Sequence, residues 1–217
     1  MRAKKLIVLL ACALCALALA GAGSLAYFTA SDKISHGFLV ATSEGGEVDP
    51  DAVFSIALTQ IDDAGGQSQQ GITYQDMKPG SKMPLDPKVK NTGEHSAWLR
   101  VTATFTQTQA WERVLATHNM DAKTALPALL DVNARTWELG EVNTDAAAGT
   151  MTFTYYYAPE LKPGEVARLM ENLTLDGAFT SDEVDMLSGF QLKFRAEAIQ
   201  RENTGASARE AFANYWN

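Results

Sequence analysis

Ala97-Trp98-Leu99-Arg100-Val101-Thr102-Ala103-Thr104-Phe105-Thr106-Gln107 alternates apolar and polar side chains without a break. Successive side chains on a strand point to opposite faces, so Leu99, Val101, Ala103 and Phe105 share one face and Trp98, Arg100, Thr102 and Thr104 the other. That is the pattern of an antiparallel strand with one face on a core. The same period of two recurs in both directions. Phe190 to Ile199 alternates apolar and charged residues through Ala198, and Thr150 to Tyr157 alternates into three consecutive tyrosines. Val53 to Ile61 places Phe54, Ile56 and Leu58 on one face, and Phe38, Val40 and Thr42 alternate with Leu39 and Ala41.

Turn chemistry separates these runs. Met77-Lys78-Pro79-Gly80 and Leu161-Lys162-Pro163-Gly164-Glu165 pair a fixed φ with a residue free to take positive φ. Asn91-Thr92-Gly93 leads out of Pro87-Lys88-Val89-Lys90, and Asp62 to Gly66 ends a strand before a Gln/Ser stretch that reads as a loop. Asp121 to Ala148 also reads as a loop. Helical spacing is confined to Thr108–His118, with Thr108 as its cap, and to a short segment from Ser207 to Tyr215. Strands spaced by turns, with helices in the connections, predict a mainly β fold: a single two-sheet antiparallel sandwich over residues 27–217.

The first 26 residues have another character. Arg2, Lys4 and Lys5 precede an uncharged, Leu- and Ala-rich run from Leu6 to Ala22, and small residues follow it. Basic, apolar and small-residue segments in that order form an export signal. Ser24-Leu25-Ala26 places the scissile bond at Ala26–Tyr27, with cuts after Ala20 or Ala22 as alternatives. The other reading of the segment is a retained anchor, since 17 apolar residues sit at the lower edge of what spans a bilayer. The expected location is therefore secreted or surface-associated, with membrane contact only through an uncleaved signal.

Both cysteines, Cys12 and Cys15, lie in the signal, so residues 27–217 carry neither disulfide nor thiol nucleophile. Losing Arg2, Lys4 and Lys5 takes the net charge from −8 to −11. An acidic surface repels phosphate backbones, and nucleic acid is not expected as a partner.

Four segments, in this order, resemble the TasA/camelysin-like exported proteins of Gram-positive bacteria. They are Leu25-Ala26-Tyr27-Phe28-Thr29-Ala30-Ser31-Asp32 running into Ile34 to Phe38; Val89 to Gly93 followed by Trp98-Leu99-Arg100-Val101; Tyr155-Tyr156-Tyr157 leading to Leu161-Lys162-Pro163-Gly164-Glu165; and Ala196 to Gln200 with Ala211-Phe212. The resemblance implies a jelly-roll-like sandwich, processing by a dedicated signal peptidase, and a surface or matrix location. In the fibre-forming members it also implies subunits joined by an N-terminal strand lent to the next subunit.

Some members of that family are described as metalloproteases, so metal chemistry has to be weighed. The histidines are His36, His95 and His118, and none lies in an HExxH arrangement that would bring two imidazoles onto one helical turn. No GxSxG elbow is present. The carboxylate pairs Asp49 with Asp51, Asp62-Asp63 and Asp182-Glu183 fall in apparent loops, where calcium binding competes with plain solvation. Asn172-Leu173-Thr174 matches a glycosylation sequon by chance. The tyrosine run either packs on the core and pairs across strands, or forms an exposed patch for a carbohydrate or another subunit. No catalytic group, metal or cofactor is expected.

Residues Tyr27 to Thr42 would form the new N-terminus, with Tyr27, Phe28, Phe38, Leu39 and Val40 as its large apolar side chains. This segment either completes its own sheet or docks on a neighbour's open edge, which makes filaments because the contact is head-to-tail. The expected function is thus a non-enzymatic surface or matrix protein, a biofilm fibre subunit in the exchange reading. Its partners are copies of itself or other matrix proteins. A monomeric adhesin or binding module is the alternative, and a metalloprotease is disfavoured.

Overall fold

The computed structural model describes residues 29–37, 56–61, 67, 68, 74, 76–202 and 204–215. It consists mainly of antiparallel strands with a few short helices. A five-stranded sheet is built from β1 (Thr29–Gly37), β6 (Ala97–Thr106), β7 (Trp137–Asp145), β8 (Thr150–Tyr157) and β11 (Gln191–Gln200), in the order β1-β11-β6-β8-β7. A four-stranded sheet runs β3-β2-β5-β9, from β3 (Gln67–Ser68), β2 (Ile56–Ile61), β5 (Lys88–Asn91) and β9 (Val166–Arg168). The pair β4 (Lys82–Pro84) and β10 (Asn172–Thr174) forms a third, two-stranded sheet. The helices are α1 (Thr108–Thr117), α2 (Ala122–Leu129), α3 (Ser181–Met186) and α4 (Ala208–Tyr215).

Alternation decides the core. Leu99, Val101, Ala103 and Phe105 of β6 are fully buried, beside Met151, Phe153 and Tyr155 of β8 and Leu192, Phe194, Ala196 and Ala198 of β11. These residues form one cluster with Ile56, Leu58, Val89 and Ala167 of the four-stranded sheet. Each large side chain so buried stabilises by about 1.5–3 kcal/mol. Phe105 is the hub, edge-on to Trp111 at 5.8 Å and to Phe153 at 6.0 Å, and stacked on Phe190 at 6.4 Å.

The Pro-Gly turns form as their chemistry requires. Gly80 and Gly164 take φ of 76° and 77°, and Ser81 N–H and Glu165 N–H donate back to the carbonyls of Lys78 and Lys162. Asn91 is fully buried at the end of β5. Its Nδ2 donates to the carbonyls of His95 (2.8 Å) and Leu161 (2.9 Å), and its Oδ1 accepts from Gly93 N–H (3.0 Å).

Several expectations are corrected. The cap of α1 is Gln107, in the left-handed region at φ 56°, while Thr108 is the first helical residue and its N–H donates to the Gly149 carbonyl. Asp121 to Ala148 is no loop. Asp121 caps α2 by accepting from Lys123 N–H, and β7 follows with a bulge between Leu139 and Val142. At that bulge Gly140 meets the Tyr156 ring so closely that a Cβ would lie 2.5 Å from it. The Gln/Ser stretch contributes β3, paired with Gln60 and Ile61. Asp182 and Glu183 occupy the first turn of α3 rather than a loop.

The outer face of β6 is not simply solvated. Trp98, Tyr156 and Ile199 form a second buried cluster, covered by Ala208, Ala211 and Phe212 of α4. The Arg100 guanidinium stacks on Phe212 at 4.3 Å.

Candidate functional site

The feature with the most functional content is the edge made by β1 and β11. β1 reads Thr-Ala-Ser-Asp-Lys-Ile-Ser-His-Gly, with Ala30 and Ile34 as its apolar residues. All nine of its residues pair antiparallel with β11, from Thr29 opposite Ile199 to Gly37 opposite Gln191. β11 is itself paired on its other side with β6 over Leu192 to Gln200. β11 is therefore a fully formed central strand, and among the described residues β1 is the last strand of the sheet on that side.

On β11, Glu197 accepts from Arg100 Nε at 2.8 Å and pairs with Arg195 Nη2 at 2.9 Å. These two cations fix a half-buried carboxylate next to the β1 register position Ser31. The opposite edge, β7, is built differently. It carries the bulge, the acidic residues Glu138, Glu141 and Asp145, and an exposed Leu139. Bulges and charges on an edge strand block pairing with another chain.

Of the residues singled out from the sequence, Ala26, Tyr27, Phe28, Phe38, Leu39 and Val40 lie outside the described residues, as do Asp49, Asp51, Asp62 and Asp63. The strand expected around Phe38–Thr42 falls there too, and the described strand is Thr29–Gly37. The three histidines fall on different elements. His36 sits on β1 opposite Leu192, and His95 follows β5 in the turn that Asn91 closes. The ring of His118 lies 3.1 Å from Glu183 and 5.2 Å from the Phe179 ring. Among the described residues no group of three or more His, Cys, Asp or Glu is placed to hold a metal ion. Among them, too, no helix is long and apolar enough to cross a membrane. Tyr155 and Tyr156 are buried and Tyr157 is half-buried, so the tyrosine run packs inward on both faces instead of forming an open patch. Burial pushes the Tyr155 hydroxyl well above its ordinary pKa.

Three polar clusters escaped the sequence reading. Asp86, nearly buried at φ 48°, pairs with Lys88 at 2.6 Å and Arg168 at 2.8 Å. Asp131 accepts from the N–H groups of Glu171 and Asn172 and from the Asn172 side chain. Burial pushes its pKa up, but those hydrogen bonds, with Lys82 nearby, hold it below the ordinary carboxylate value. Asn172 is itself 9% exposed, which leaves the sequon asparagine inaccessible. Glu183 closes a capping box with Thr180 and also accepts from Thr117 and His118. The Thr180-x-x-Glu183 spacing was legible in advance; the other two clusters join residues far apart in sequence.

Compared with known proteins, the chain matches no family model, no curated protein and no solved structure.

Proposed function

We propose that the protein is a secreted, non-enzymatic component of the cell surface or extracellular matrix that assembles by lending β1 to a neighbouring copy. In this reading residues 1–26 form the signal removed by a dedicated peptidase. The remainder folds as one jelly-roll-like sandwich, with the five- and four-stranded sheets as its two layers around the shared core. The carrying observation is the β1–β11 ladder: nine register pairs formed by an N-terminal strand with little apolar surface, against a strand complete on its other side.

Exchange of such a strand replaces each main-chain hydrogen bond with an identical one in the next subunit. The balance between closed monomer and filament is then set by concentration. The strand within its own subunit competes at an effective concentration, and filaments are favoured where export raises the local concentration toward it.

A disulfide between β1 and β11 tests this. In Gly37→Cys/Gln191→Cys the new cysteines sit opposite each other, in a region without native thiols. The oxidised protein should stay monomeric in light scattering and electron microscopy, while the reduced protein forms filaments at high concentration. Equal polymerisation of the two forms rules out exchange. Absence of polymers from both favours the monomeric binding module.

A further inference from the structure

Beyond the part covered by α4, the outer face of the five-stranded sheet carries a regular array. Thr102, Thr104 and Thr106 of β6 stand in register with Thr154, Thr152 and Thr150 of β8; Thr154 is buried and the other five are half-buried. Hydroxyl-bearing positions therefore repeat about every 6.8 Å along each strand, in two rows about 4.8 Å apart. Thr104 and Thr152 hydrogen-bond each other at 2.9 Å, the Thr106 hydroxyl accepts from Gln191 N–H at 2.7 Å, and the Thr102 hydroxyl donates to the Arg195 carbonyl at 3.5 Å, each keeping a further lone pair for a ligand. β11 flanks the rows with exposed cations: Lys193 lies opposite Thr104 and Arg195 opposite Thr102. Arg195 is 55% exposed even while paired to Glu197. On the other flank Asn143 faces Thr152, and Asp145 turns its carboxylate into its own hairpin, accepting from Ala147 and Ala148 N–H.

The rows do not end in open solvent. Thr106 also lines a cavity of about 520 Å³ together with Gln107, Gln109, Arg113 and the hairpin at residues 146–149. Hydroxyls, amides and a guanidinium thus continue the line of the threonine rows. In a molecule of net charge −8, this face presents Lys193, Arg195 and Arg113, with its carboxylates engaged: Glu197 is paired to Arg195 and Asp145 is turned into its hairpin.

We infer that this face binds an extended anionic polysaccharide bearing uronic acids. The half-buried threonine hydroxyls, Thr154 excepted, and the amides of Gln107 and Gln109 would bond sugar hydroxyls, while Lys193, Arg195 and Arg113 meet carboxylates. The proportion of groups selects this class. A polyphosphate carries a charge on every unit and is met by closely spaced cations, whereas here hydroxyls outnumber cations, as in a chain with many hydroxyls and a sparser charge. The inference rests on the surface-protein reading only for where such a polymer would be encountered.

Calorimetric titration with oligogalacturonate, with neutral dextran and polyphosphate of equal length as comparisons, tests it on monomeric protein, so that its failure leaves strand exchange standing. Saturable binding of oligogalacturonate is expected. It should weaken at least tenfold in Arg113→Gln/Lys193→Gln and at least fivefold in Thr104→Val/Thr152→Val, and Thr104→Ser should restore binding relative to Thr104→Val. The exposed Arg113 and Lys193 sites keep the test independent of any folding defect in the threonine variants. Absence of saturable binding overturns the inference. So does equal or tighter binding of polyphosphate or dextran, or full affinity in the Arg113/Lys193 variant.

Discussion

Replacing Asn91 by Ala should destabilise the fold more than its small volume suggests. The side chain is fully buried and makes three hydrogen bonds, two donated to the carbonyls of His95 and Leu161 and one accepted from Gly93 N–H. The partners do not suffer equally. The Leu161 carbonyl keeps the Ala97 N–H at 2.9 Å, and the His95 carbonyl lies in a half-buried turn that water reaches. Gly93 is buried, so its N–H would be left without a partner and carry its desolvation cost. At about 0.5–1.5 kcal/mol for each of the two bonds to carbonyls and about 1–3 kcal/mol for the orphaned Gly93 donor, the expected loss is about 2–6 kcal/mol. For a urea slope of about 2 kcal/mol/M this moves the midpoint down by about 1–3 M at unchanged slope. Asn91→Asp separates hydrogen bonding from volume. It keeps the acceptor for Gly93 but sets a carboxylate against two carbonyls, and should be worse at neutral pH than in mild acid. A midpoint shift below about 0.5 M for Asn91→Ala would refute the account, because three bonds to a buried group cannot cost so little by this reasoning.

Two further outcomes follow from local geometry. Gly164→Ala meets no atom within 4 Å, so only the positive φ of 77° resists it, and urea titration should show a loss of about 1 kcal/mol; a loss near zero would mean that the turn relaxes. The Thr117 hydroxyl, the Thr180 N–H and His118 hold the Glu183 carboxyl down to about 2, below its unfolded value. A depressed folded pKa contributes stability above the unfolded pKa that is lost as pH falls through the folded one. Acid titration followed by circular dichroism should therefore show wild-type protein losing stability between about pH 4.5 and pH 2, with a shallower fall in Glu183→Gln; parallel curves would remove Glu183 from the balance.

The long strands were legible because period two survives over enough residues to be read. β6, β8 and β11 bury alternate side chains over most of their length, the exceptions being Trp98, Thr154, Tyr156 and Ile199 on the other face, and Pro79-Gly80 and Pro163-Gly164 announced their turns. β4, β9 and β10 are three residues each, too short to establish any period. β7 was hidden by its bulge, which shifts the alternation between Leu139 and Val142. The covering of Trp98, Tyr156 and Ile199 by α4 depends on chain-distant packing that no window of sequence contains. The candidate edge was legible only as an N-terminal segment. β1 lacks strong apolar alternation, so its span over Thr29–Gly37 comes from pairing with β11.

The two edges of the five-stranded sheet bear on any assembly in opposite ways. β7 ends its sheet with a bulge and the carboxylates Glu138 and Glu141, both within reach of Arg209 of α4. A strand arriving there would meet broken register and like charge if it were another β7. At the far side, withdrawing β1 would uncover the main chain of β11 from Gln191 to Ile199 in unbroken register. One edge thus resists addition, and at the other β11 can accept a strand only when β1 leaves it. In the proposed filament each subunit would then donate through β1 and receive through β11, with no competing contact at β7. In that filament the asymmetry would select a single head-to-tail polarity, set by where the bulge and the charges lie rather than by the strength of any one contact.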